Sequence, residues 1–103
     1  MCDHGRMWIG WIEFDLLLGD VHSLKEKRAA VRPLVAELRR RFQVSAAEVD
    51  HHDLHRRAMI GIGCVAADRG HIVEILDSAE QLVAGRGEFE LLSAHRGLAR
   101  SDD

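Results

Sequence analysis

From Trp8 the chain alternates strictly: Trp8, Gly10, Ile12, Phe14, Leu16 and Leu18 fall on one side, and Ile9, Trp11, Glu13, Asp15 and Leu17 on the other. That period of two predicts a strand with one wholly apolar face. Gly19 to His22 reads as a turn, and Ser23 followed by Glu26 has the capping-box spacing that opens a helix at Leu24. At about 100° per residue Leu24, Val31, Leu34, Val35 and Leu38 converge on one face, so the helix runs to about Arg41. Pro33 falls inside it, on the side away from the apolar stripe, where a kink convex to solvent is the expectation.

The pattern then returns to strand. Val44 to Val49 and Ala58 to Ala66 read as a hairpin around the polar segment Asp50 to Arg57. Asp68 caps a second helix whose Ile72, Ile75, Leu76, Ala79, Leu82 and Val83 line one face, and Gly85 and Gly87 end it. Glu88 to Ala94 is a last short strand, followed by a polar tail from His95. The order βαββαβ predicts an α+β, ferredoxin-like domain: a four-stranded antiparallel sheet with both helices on one face. Residues 7–98 form this single domain, flanked by a disordered tail over 1–6 and a flexible one over 99–103, with Met7 an alternative start.

Composition narrows the class. At 103 residues there is room for one hydrophobic core. The longest apolar stretch, Trp8 to Leu18, is broken by Glu13 and Asp15 and falls short of the roughly 20 residues of a membrane helix. No signal-type apolar run follows Met1 to Arg6, so the expectation is cytoplasmic. Cys2 and Cys64 have no CxxC spacing, and Cys64 lies in an apolar strand where a buried thiol is the ordinary outcome.

The formal charge of -3 gives no overall pull toward nucleic acid, yet the distribution is uneven. Leu24 to Arg41 holds seven basic residues against two acidic ones, a net of +5, which leaves -8 for the rest. Helical projection puts Lys25, Arg28, Arg32 and Arg39 on one stripe about 60° wide. Arg39 to Arg41 have a structural explanation at the helix C-terminus. Lys27 projects into the apolar arc, with its amine expected to reach outward.

The run Ser23 to Arg28, SLKEKR, and the run Arg41 to Glu48, RFQVSAAE, resemble the YlxP-like family of bacterial proteins of unknown function. The opening strand, the helix proline and the hairpin fit that pattern as well, over nearly the whole chain from Met7 to about Leu98. The resemblance implies a ferredoxin-like fold and a gene neighbourhood beside translation initiation and ribosome maturation factors; it brings no established activity. The Asp50, His51, His52 segment departs from the family's pattern.

The expected function is therefore a non-enzymatic accessory factor of translation or ribosome assembly. Its partner would be ribosomal RNA or a ribosomal subunit, whose phosphates meet Lys25, Arg28, Arg32 and Arg39. The alternative is a homo-oligomeric structural or protein-interaction module with no nucleic-acid role. Its interface would be the outer sheet face, where Ile9, Trp11, Leu17, Met59 and Val65 point away from the helices. In a related arrangement the acidic helix, with Glu74, Asp77 and Glu80, would meet the basic helix of a second copy. Asp50, His51, His52, Asp53 and His55 have the residue types of a metal site but sit in a hairpin connection with no third ligand fixed by spacing. No glycine-rich phosphate loop or paired-carboxylate motif is present. No catalytic residue, metal or cofactor is expected.

Overall fold

The computed structural model describes residues 6–102. The elements are β1 (Trp8–Leu18), α1 (Leu24–Phe42), β2 (Ser45–Asp50), β3 (Arg57–Ala66), α2 (Arg69–Ala84) and β4 (Phe89–Arg100). The sheet order is β2-β3-β1-β4, and each neighbouring pair is antiparallel. This is the ferredoxin-like α+β arrangement. Both helices pack on the face that carries Ile12, Phe14, Leu16 and Leu18, all four fully buried.

Local chemistry sets the helix ends. The Ser23 hydroxyl accepts from the Glu26 N–H at 3.1 Å, while the Glu26 carboxylate reaches back to the His22 N–H at 2.9 Å. At the other end Gln43 adopts φ 55°, and its N–H returns to the Arg39 carbonyl. Pro33 sits exposed within one uninterrupted helix. Val31, Leu34, Val35 and Leu38 form its buried face. On α2 the Asp68 carboxylate accepts from the His71 N–H, and Ile72, Leu76, Ala79 and Val83 turn inward.

α2 lies hard against β1. A Cβ at Gly10 would come within 2.2 Å of Ile72 Cγ2, so glycine is what allows this approach. α1 lies over the β2 side of the sheet, which makes β2 an edge strand flanked by the basic helix.

One expectation needs correction. The last strand does not stop at residue 94: β4 runs to Arg100, with Ala99 opposite Ile9 and Arg100 opposite Trp8. The polar side chains expected to form a tail from His95 are instead on an edge strand, where one row of side chains meets water without loss of pairing. Ser101 still bonds back to the Met7 carbonyl. Residues 1–5 of the expected leading tail, Cys2 among them, and Asp103 lie outside the described residues. No described helix is long and apolar enough to cross a membrane.

Candidate nucleic-acid interface

The i, i+4 spacing of Arg28 and Arg32 puts both on the flank of α1 that overlooks β2. There Arg28, Arg32 and Arg39 line an open groove of about 500 Å³, floored by Val31 and Val35 and bordered by Ala47 and Glu48. Three of the four stripe residues thus meet at one place. Lys25, two turns before Arg32, is exposed but does not line the groove.

The cations are not equivalent. Among the described residues, Lys25, Arg28 and Arg32 have neither an ion pair nor a side-chain hydrogen bond. Arg39 is partly engaged: its Nε and Nη2 donate to the Ala46 carbonyl at 3.0 and 2.6 Å, tying the helix to the sheet edge. Arg41 faces Glu37 at 3.7 Å and stacks over Phe42.

Lys27 overturns its expected outward reach. The side chain is buried, and Nζ donates to the carbonyls of His51 and Leu54 at 2.6 and 2.8 Å. Nζ also lies 2.5 Å from Glu48 Oε2, an ion pair that neutralises the one carboxylate on the groove. Two carbonyls and a carboxylate replace the ammonium's water, which is why the charge can stay inside. Sequence projection located Lys27 in the apolar arc, but the acceptors come from a hairpin more than twenty residues away.

The histidine loop is organised by the same contacts. His51 has φ 63°, which sends its carbonyl toward Lys27 while its ring approaches Asp15 on the outer sheet face, Nε2 to Oδ1 3.8 Å. Asp15 takes two 2.7 Å bonds from Arg57. His52 Nε2 is 3.1 Å from the Glu48 carbonyl. Among the described residues no group of three or more His, Cys, Asp or Glu side chains is arranged to hold a metal ion. Cys64 is a half-buried free thiol, and burial pushes its pKa up, away from the reactive thiolate.

The outer sheet face carries Ile9, Trp11, Leu17, Met59 and Val65, as the alternation requires. Trp11 and Val65 are 43% and 61% exposed, and Ile9, Leu17 and Met59 are half-buried. The Trp11 ring lies across Gly97, where a Cβ would sit 2.1 Å from Cζ2. Val49, which the sequence reading left out, lies over Gly61 and adds to this apolar face, while Leu92, also exposed, is the unpaired residue of the bulge in β4. On α2, Asp77 and Glu80 both grip Arg96 of β4 at 2.8 Å, with Glu80 foremost in holding that guanidinium's pKa above its ordinary value. Two of the three acids expected to meet a second copy's basic helix are therefore already paired within the chain.

A four-stranded antiparallel sheet with a basic helix on its edge-strand side describes a ferredoxin-like domain with a cationic groove. Residues 9–96 match the family model described as Protein of unknown function (DUF503), and the chain belongs to that family. It is 34% identical over 61 residues to the uncharacterized protein YlxP of Bacillus subtilis (strain 168), an alignment covering 59% of this chain and 66% of that protein. A crystal structure of a mutant of SnoaB, a cofactor-independent oxygenase from Streptomyces nogalater, is similar at a TM-score of 0.46 and 10% identity, over 93% of this chain and 94% of that one.

Proposed function

We propose that the protein is a non-enzymatic accessory factor of translation or ribosome assembly that holds RNA phosphates with α1. The observation carrying this reading is the pair Arg28 and Arg32, exposed, without partners among the described residues and facing one groove with Arg39. Like charges at i, i+4 destabilise a helix, and Lys25 sits in its first turn, where the dipole disfavours a cation. A row of cations that the fold itself does not use is relieved by a polyanion. The one carboxylate at the groove is neutralised by Lys27, so it does not repel phosphate. Translation as the setting rests on the family resemblance.

Co-sedimentation with ribosomal subunits, and fluorescence anisotropy with labelled ribosomal RNA fragments across a salt series, test the reading. The double variant Arg28→Glu, Arg32→Glu is expected to lose sedimentation, and the salt dependence of binding should fall by about two phosphate contacts. Its thermal midpoint should match the wild type. Binding that is unchanged by the double variant and insensitive to salt overturns the proposal and favours the alternative, a protein-interaction module without a nucleic-acid role.

A further inference from the structure

The groove on α1 is a narrow cationic strip between acidic surfaces. Arg28, Arg32 and Arg39 line it, and at a rise of about 1.5 Å per residue the span from Arg28 to Arg39 is about 16 Å. Arg40 and Arg41 stand on the other flank, beside Glu37. Carboxylates bound the strip. Beyond Glu48 the hairpin exposes Asp50 and Asp53, the outer sheet face exposes Glu13 and Glu90, and α2 carries exposed Glu74, with Asp77 and Glu80 sharing Arg96. A protein that reads duplex RNA needs a broad basic surface, because it spans about 16 base pairs and the phosphates between two minor grooves. Given the RNA reading of α1, on which this rests, we propose that the groove takes a single strand rather than a duplex, its bases lying against Arg28, Arg32 and the valine floor.

The lining serves two parts of a nucleotide. Phosphates need only cations, whereas the apolar floor of Val31, Val35 and Ala47 is of use to the face of a base. A base reaches such a floor only when it is unpaired and turned out of its stack. Arg39 is held in place for a phosphate: Nε and Nη2 rest on the Ala46 carbonyl, and Nη1 lies outside those bonds. Arg28 and Arg32 have no partner among the described residues, so their planar guanidinium groups are free to stack.

A peptide strand suits this edge less well. On the free side of β2 the Ala46 carbonyl is taken by Arg39, and the Glu48 carbonyl has His52 Nε2 at 3.1 Å. Strand addition would find those two acceptors already covered.

Charge alone gives the opposite preference, since a duplex carries the denser line of phosphates. The deciding measurement is fluorescence anisotropy with a labelled pyrimidine oligoribonucleotide of about 20 nucleotides, alone and annealed to its complement. At the same salt the single strand is expected to bind at least about tenfold more tightly than the duplex. Arg28→Lys with Arg32→Lys keeps both charges and removes the planar groups. That variant should bind the single strand at least about threefold more weakly, with duplex binding and thermal midpoint unchanged. A duplex bound as tightly as the single strand overturns the proposal and leaves RNA binding by α1 in place. A lysine variant that matches the wild type, or that loses both forms equally, overturns it as well. Binding of neither probe overturns the RNA reading, and the proposal with it.

Discussion

The two helices lie side by side on one sheet face, yet each is attached and charged differently. α2 is held by close apolar contact, Ile72 and Leu76 against Gly10 of β1, and two of its acidic residues clasp Arg96 of β4. α1 is tied to the hairpin by a buried ammonium and leaves Lys25, Arg28 and Arg32 without partners among the described residues. A charge that a fold uses for its own cohesion has a local partner, as Arg96 and Lys27 do. The charges lacking one are those on which a functional reading of this molecule can rest.

Lys27 gives the largest expected effect. Lys27→Ala would strand the Glu48 carboxylate and the carbonyls of His51 and Leu54, and removing one partner of a buried ion pair costs about 3 to 5 kcal/mol. Lys25→Ala, two residues earlier on the exposed side, should change stability by no more than about 0.5 kcal/mol. Urea unfolding of both variants measures the difference. Equal effects would break the distinction between anchored and free cations on α1.

The corresponding test for α2 is Gly10→Ala. The new methyl group would sit 2.2 Å from Ile72 Cγ2, so the helix must shift away from β1 or the isoleucine must leave its rotamer. Overpacking of this kind costs about 1 to 3 kcal/mol. Gly63→Ala, in the same sheet but with open space above it, should be close to neutral. Thermal unfolding of the two variants compares these sites directly. A Gly10→Ala protein as stable as Gly63→Ala would mean that α2 is not held by this close approach.

Much of this arrangement is legible along the chain because it depends on period. The alternation of Trp8 to Leu18 sorts Ile12, Phe14, Leu16 and Leu18 into the core and Ile9, Trp11 and Leu17 out of it. Projection of α1 likewise brings Arg28, Arg32 and Arg39 to one flank. What period cannot carry is the identity of distant partners. The acceptors of Lys27 are backbone carbonyls placed by the left-handed turn at His51, and the groove exists because β2 happens to lie beside that flank. Arg96 looked like part of a polar tail, since its two carboxylates belong to a helix sixteen and nineteen residues earlier. Leu92 escaped notice for a related reason: a bulge between Asp15 and Leu16 resets the alternation of β4.

The smallest effect concerns the flank of α1 away from the groove. Arg86 joins Glu37 of α1 to Glu88, the residue before β4, so the Glu37 carboxylate on this side of the helix is matched within the chain. The backbone N–H of Glu88 and the Arg86 side chain both favour the carboxylate and hold the Glu88 pKa below its ordinary value of 4.5. A group whose pKa falls on folding stabilises the fold in its charged form, so its contribution is complete above pH 4.5 and disappears as acid protonates the folded state. Glu88 is half-exposed, which keeps that contribution to about 0.5 kcal/mol. Glu88→Gln should therefore be slightly less stable than the wild type at pH 7 and equal to it in strong acid, read from urea midpoints across the pH range. A gap that persists in acid would assign the effect to packing instead. A gap that widens as pH falls would contradict the pairing itself, and with it the contrast between the Arg86-paired Glu37 of α1 and the cations of its groove flank.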